Sequence, residues 1–158
     1  MAWLDGVDRA LGRLIEAARW LVLPVVVLLF LQWPLRDVVH WGSREANDLG
    51  QWIFALYVSL AVTFATRERA HLAVHAIAYG YPATLRGAIA RWGTFLCVAP
   101  WALFMIWAVA PTAWQSLRGL ERFSETDNPG YFLIKLAALL LALLALAQVL
   151  IDLARPKR

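Results

Sequence analysis

Four long segments of the chain contain no Asp, Glu, Lys or Arg. They are residues 20–35, 49–66, 92–117 and 136–151. A transmembrane helix needs about 20 mostly apolar residues at a rise of about 1.5 Å each, so each segment with its flanks is long enough to cross a bilayer. The pattern predicts one membrane domain over residues 1–158 with four transmembrane helices. Their predicted bounds are 19–36, 48–66, 92–116 and 131–153.

The residues before the first segment follow a different pattern. Apolar side chains recur there every three or four residues, and charged side chains take the opposite face. The apolar positions are Trp3, Leu4, Val7, Leu11, Leu14, Ile15 and Ala18. This periodicity predicts an amphipathic helix over residues 3–18 that lies along the inner membrane interface. The alternative is that these residues form the cytoplasmic end of a long first helix.

The composition supports a membrane protein. Of the 158 residues, 61% are apolar and 16% are charged, whereas soluble domains average about 45–50% apolar and about 25% charged residues. The net charge of +4 comes mostly from basic residues beside the apolar segments, where they face lipid headgroups. We therefore predict membrane lipids, and no nucleic acid, as partners. The single cysteine, Cys97, excludes an intramolecular disulfide and a cysteine-based metal site.

The distribution of basic residues predicts the orientation. Outside the spans, three Lys and Arg residues lie before residue 20, four lie in the segment 67–91 and three lie after residue 154. The two remaining connections hold two each. Because basic residues concentrate on the cytoplasmic side, both termini should be cytoplasmic. The predicted fold class is therefore an all-α integral membrane protein with four transmembrane helices, an N-terminal amphipathic interfacial helix and cytoplasmic termini.

Two of the predicted spans carry a stripe of polar or small residues that should avoid lipid. At about 100° per residue, the second span gathers Asp48, Gln51, Ala55, Ser59, Thr63 and Thr66 on one side. The fourth span gathers Lys135, Ala138, Ala142, Ala145, Gln148 and Asp152. Small residues allow close helix packing and Gln can hydrogen-bond between helices. The stripes pack either within this chain or against a partner subunit. The candidates for a partner interface are Arg44, Glu45, Asp48, Gln51, Ser59, Thr63, Ala138, Ala142, Ala145 and Gln148.

No pattern in the sequence indicates catalysis or a cofactor. His71 and His75 have the i, i+4 spacing of a helical metal chelate, but no third ligand stands at a readable spacing from them. No acidic residue lies at mid-membrane depth, where a proton-coupled transporter normally needs an ionisable group. We predict that the chain is not an enzyme, binds no metal or cofactor and does not transport alone. The candidates for contact with lipid headgroups or the cytoplasmic loop are Arg67, Arg69, His71 and Lys135.

Several local motifs support a family resemblance. Trp41 and Glu45 precede the second span, the stretch Arg67-Glu68-Arg69-Ala70-His71-Leu72-Ala73-Val74 follows it, and residues 121–135 precede a fourth span that contains Gln148. In this order of features the chain resembles the small, DctQ-type membrane subunit of tripartite ATP-independent periplasmic (TRAP) transporters.

The resemblance implies a scaffold subunit in a bacterial inner membrane. Its partners would be a large multi-helix permease subunit, which carries the substrate and sodium sites and moves by an elevator motion, and a periplasmic substrate-binding protein. The substrate is then expected to be an organic acid. The segment 118–130 would be periplasmic, within reach of the binding protein. The alternative function is a self-assembling small exporter or channel, with the second-span stripe facing a pore.

Overall fold

The computed structural model describes residues 2–38, 44–67 and 81–154, and these residues are predominantly helical. The helices are α1 (Ala2–Ala18), α2 (Val22–Asp37), α3 (Arg44–Arg67), α4 (Ala83–Arg118) and α5 (Tyr131–Ala154). A 3-10 turn, Arg19–Leu21, joins α1 to α2. No strand forms among the described residues, although one isolated bridge pairs Arg122 with Pro129.

Four helical stretches are long and apolar enough to cross a membrane. They are Gly6–Leu31, Arg44–Arg67, Thr84–Arg118 and Tyr131–Ala154. The prediction of an all-helical chain with four such helices is confirmed for the part of the chain that the structure describes. The interfacial position of the N-terminal helix and the cytoplasmic termini remain predictions.

The first two helices follow one continuous course beside α3. The backbone stays in the right-handed helical region through Ala18, Leu21 and Val22, on both sides of the 3-10 turn. Leu28 and Gly50 line a common groove, and Gly12 lies beside the Arg67 side chain. Gly12 lies 16 residues before Leu28, and Arg67 lies 17 residues after Gly50. Because the rise per residue is the same in all α-helices, these nearly equal separations show that α1 and α2 together run antiparallel to α3. This course matches the alternative of a long first helix.

The helices pack in a row rather than around a common centre. The main interhelical contacts join α2 to α3, α3 to α5 and α5 to α4. The helices at the two ends of the row therefore expose much apolar surface, for example Phe30 of α2 at 73% and Trp107 of α4 at 76%. In a membrane this surface contacts either lipid or another protein.

Helix α4 is longer than the sequence pattern indicated. Pro82 precedes its first residue with an extended backbone, and the helix then runs from Ala83 to Arg118. It starts nine residues before the predicted position 92. The prediction set this limit where the charge-free segment begins, and the additional turns contain Arg86 and Arg91. At about 1.5 Å per residue its 36 residues extend about 54 Å, well beyond a bilayer core of about 30 Å.

Small residues let α5 pack closely against its neighbours α3 and α4. Three alanines of α4 and three of α5 are buried at 0–4% exposure. They are Ala99, Ala102 and Ala113 in α4, and Ala137, Ala142 and Ala145 in α5. Alanine has almost no side chain to hold the backbones apart, so these positions allow close approach and dense van der Waals contact. In a membrane, where apolar burial drives helix association little, such contact is a main source of stability.

Candidate functional site

The hydroxyl groups of the α3 stripe are satisfied within their own helix. Ser59 Oγ donates to the Leu56 carbonyl at 2.7 Å, and Thr63 Oγ1 donates to the Ser59 carbonyl at 2.9 Å. Thr66 Oγ1 likewise donates to the Val62 carbonyl at 3.0 Å. Such bonds to the carbonyl three or four residues earlier are a common way for Ser and Thr to satisfy their donors in a helix. The three side chains are also buried, so they offer neither donor nor surface to a partner in this structure.

The corresponding face of α5 is also buried inside the chain. Ala142 and Ala145 have 0% and 1% exposure, and Gln148 has 1%, whereas Ala138 is half-buried. Gln148 Nε2 donates to Asp152 Oδ1 at 3.2 Å on the same helix. Since α3 and α4 are the helices that pack against α5, this stripe serves packing within the chain. In the structure Ala142, Ala145 and Gln148 are buried inside the chain, and their role at a partner interface remains a prediction.

Three of the candidate partner residues lie on the surface. Arg44, Glu45 and Gln51 are exposed near the N-terminal end of α3. Their role as a partner interface remains a prediction. Asp48, between them in the sequence, is only 7% exposed and is engaged by the chain itself.

The α4–α5 loop, residues 119–130, is fastened to the start of α3. Thr126 Oγ1 donates to Asp48 Oδ2, and the Asn128 backbone N–H donates to Thr126 Oγ1 at 3.4 Å. Asp48 thus links α3 to a loop that is 78 residues away in sequence. The hydrogen bond satisfies a carboxylate that would otherwise be costly to bury.

A second cluster fastens the same loop to α4 and α5. Lys135 Nζ lies 2.5 Å from Glu121 Oε2, and Ser116 Oγ donates to the same carboxylate oxygen. Lys135 also lies 5.4 Å from the centre of the Tyr131 ring. The hydrogen bonds from Lys135 and Ser116 hold the pKa of Glu121 below its ordinary value because they favour the charged carboxylate. Lys135, a candidate for contact with lipid headgroups, therefore has a partner within the chain.

The loop closes over one aromatic side chain. Phe123 is buried and its ring lies edge-on to Tyr131, with the centroids 5.5 Å apart. Gly130 has a φ of +147°, and a Cβ at this position would lie 3.3 Å from the Phe123 ring. Glycine is required here because a side chain meets both an unfavourable backbone angle and a close neighbour.

Neutralising Glu121 should loosen the loop at neutral pH. We expect Glu121→Gln to lower the thermal midpoint modestly, because the amide keeps a hydrogen-bond acceptor but loses the charge opposite Lys135. The pKa of Glu121 is lower in the folded chain, so its contribution is present above the unfolded pKa and is lost as pH falls through the folded pKa. The difference between wild type and variant should therefore shrink below about pH 4.

The control for this prediction is Glu125→Gln in the same loop. Glu125 is exposed, so its neutralisation should leave the midpoint unchanged at neutral pH. Equal effects of the two substitutions would show that the Glu121 cluster does not anchor the loop. Melting is followed by tryptophan fluorescence in detergent.

Polar contacts also lie at the opposite ends of the helices, near the end of α3 and the start of α4. Arg67 Nη1 lies 2.9 Å from Asp8 Oδ1 and also donates to the Asp8 carbonyl at 3.2 Å, so this candidate for lipid contact pairs with α1. Arg91 and Asp152 line a cavity of about 10 Å³ between α4 and α5. Arg91 Nε of α4 and Gln148 Oε1 of α5 are buried without a hydrogen-bond partner among the described residues.

The candidates Arg69 and His71 lie outside the described residues. Within the described ranges, no group of three or more His, Cys, Asp or Glu side chains is placed to hold a metal ion.

The sequence did not identify the residues through which the α4–α5 loop and α1 are held to the other helices. Glu121, Thr126 and Asp8 pair with candidates that the sequence had singled out, which are Lys135, Asp48 and Arg67. Ser116 donates to Glu121. The opposite charges of Glu121 and Lys135, at the two ends of one short connection, were a readable signal. The contact between Thr126 and Asp48 had none, because it depends on how three helices pack.

One comparison with known proteins gives a match. The family described as "Tripartite ATP-independent periplasmic transporters, DctQ component" matches residues 9–157. No curated protein and no solved structure matches the chain.

Proposed function

The chain belongs to the DctQ family of tripartite ATP-independent periplasmic transporters, and from this premise we propose that it is the small, non-catalytic scaffold subunit of such a transporter. The observation that carries the proposal is the family match over residues 9–157. The family is a component of a transporter, and four helices of this chain are long and apolar enough to cross a membrane. The family match therefore agrees with the four membrane-spanning-capable helices of the chain.

The row of helices suits a scaffold. It exposes two apolar edges, on α2 and α4, against which a large multi-helix permease subunit can pack. In this proposal the large subunit carries the substrate and sodium sites and performs the elevator motion, in a bacterial inner membrane. A periplasmic binding protein delivers an organic acid from the side of the α4–α5 loop. The small subunit widens and anchors the fixed part of the transporter.

The packing argues against a self-assembling exporter or channel. That function requires the polar stripe of α3 to face a pore. Ser59 and Thr63 are instead buried and donate to carbonyls of their own helix. Beyond Gln51, near the start of α3, the hydroxyl groups of the stripe are therefore not available to line a water-filled path.

The orientation is testable by labelling. We expect the α4–α5 loop to be periplasmic and the start of α4 to be cytoplasmic, because basic residues are concentrated at the termini and at 67–91. In a Cys97→Ala background, an impermeant thiol reagent added to whole cells should label Glu125→Cys. It should not label Arg86→Cys until the membrane is permeabilised. The reverse pattern would invert the topology; both substituted residues are exposed in the structure.

The proposed function is tested by deleting the chain from its native host. Uptake of a panel of labelled organic acids is measured in the deletion strain, with and without a plasmid that restores the chain. We expect uptake of at least one acid to be lost and then restored. Unchanged uptake of every acid across the panel would contradict a role in organic-acid transport.

A further inference from the structure

A groove lies between α2 and α3, along the first half of α3. It has a volume of about 220 Å³ and is lined by Val25, Leu28, Leu29, Ala46, Asn47, Gly50, Gln51 and Phe54. The rim nearest the start of α3 carries two side-chain amides, Asn47 and Gln51, and the rest of the lining is apolar. Val25 is buried in the wall of the groove, whereas Leu29 and Phe54 at its sides are about half exposed. The groove is thus open toward the membrane.

The residues along this side of α3 change from charged to polar to apolar. Arg44, Asn47, Gln51 and Phe54 follow one another at spacings of three or four residues, so they lie on one face of the helix. The first three are exposed. A phospholipid has the same order of chemistry, from phosphate through ester carbonyls to acyl chain. We propose that this groove binds one phospholipid of the leaflet at the start of α3, with its phosphate beside Arg44 and one acyl chain against Gly50.

The length of the groove favours a lipid over a helix of another protein. From Ala46 to Phe54 the groove follows α3 for about 12 Å. One leaflet of the hydrocarbon core is about 15 Å deep, half of roughly 30 Å. An acyl chain therefore fills the groove over its whole length, whereas a transmembrane helix would need a seat that continues through the second leaflet.

Gly50 makes the floor of the groove. It is buried, yet a Cβ built on it meets no atom within 4 Å. Packing within the chain therefore does not require a glycine at this position. Glycine within a helix is less stable than alanine, and its use here leaves space at the floor of the groove for a chain that lies in it.

The rim supplies the groups that a phospholipid headgroup needs. The Arg44 guanidinium is suited to bind a phosphate through charge-assisted hydrogen bonds. Asn47 and Gln51 carry amide donors that can bind ester carbonyls. Glu45, the nearest carboxylate in sequence, is displaced by about 100° around the helix axis, and Asp48 is turned to Thr126.

The proposal is tested by native mass spectrometry of the full chain, delipidated in detergent and titrated with defined lipids. We expect one saturable site for dioleoyl phosphatidylglycerol. Dioleoylglycerol, with the same acyl chains and no phosphate, should bind about tenfold more weakly. Arg44→Gln should remove this difference. Because Arg44 is exposed, this variant tests the site without disturbing the packing.

A pair of matched variants tests the groove itself. Gly50→Leu fills it, whereas Gly93→Leu adds the same side chain to an exposed glycine of α4 that also has open space around it. We expect Gly50→Leu to lower phosphatidylglycerol affinity about tenfold or more, and Gly93→Leu to leave it unchanged.

Three outcomes would overturn the proposal. They are equal binding of the two lipids by the wild type, unchanged selectivity in Arg44→Gln, or unchanged lipid affinity in a folded Gly50→Leu. If Gly50→Leu instead loses only a copurifying protein, the groove is a protein-docking site. Because the lipid site does not depend on the transporter assignment, its failure would leave the proposed function standing.

Discussion

Ala142→Phe should disrupt the folding of this chain by itself, without any partner present. Ala142 has 0% exposure and lies on the face of α5 that packs inside the chain. A phenyl ring has no space there, and overpacking a close-packed interior costs about 1–3 kcal/mol, with the upper end expected for so large a group. We expect the purified variant to aggregate or to melt at a much lower temperature than wild type in the same detergent.

The matched control is Leu143→Phe, one residue further along the same helix. Leu143 is 47% exposed, so its replacement changes only a surface that faces lipid or detergent. This variant should melt like wild type. If Ala142→Phe is as stable as wild type in isolation and loses only a partner subunit, the α5 face belongs to an intersubunit interface and the internal packing described here is wrong.

The purified chain should transport no solute in liposomes. A polar solute requires a site that alternates in access and groups near the bilayer midplane to bind it. The middle of the described helices lacks such a site, since Ser59 and Thr63 are buried and bonded to backbone carbonyls. The groove between α2 and α3 opens to the side, and its described lining ends near the middle of α3.

The transport prediction is measured with proteoliposomes that carry a sodium or a proton gradient. Accumulation of labelled organic acids should equal that in protein-free liposomes under every gradient. Proteoliposomes that also contain the copurified large subunit and the binding protein provide the positive control. Accumulation by the chain alone would favour the exporter over the scaffold.

The sequence predicted the helical class and the four spans because lipid exposure requires long segments without charge. The same criterion could not find the first turns of α4, since Arg86 and Arg91 are charged yet helical. Nor could it tell that α1 continues along α3, because an amphipathic pattern is equally compatible with a helix on the membrane surface and one packed against a neighbour.

The candidate site was harder to predict than the fold. Periodicity shows that Ser59, Thr63, Ala142 and Ala145 avoid lipid, but it does not identify the neighbour that covers them. That depends on the row order of the helices, in which α5 lies between α3 and α4. The hydroxyl bonds to preceding carbonyls also depend on side-chain rotamers that the sequence does not specify.

The most direct test of the account is affinity purification of the tagged chain from native membranes, with identification of its partners by mass spectrometry. The account predicts that a large multi-helix permease subunit copurifies in a fixed ratio and is absent when an untagged chain is expressed. Recovery of the tagged chain with only further copies of itself, under conditions that keep other membrane complexes intact, would contradict the scaffold role.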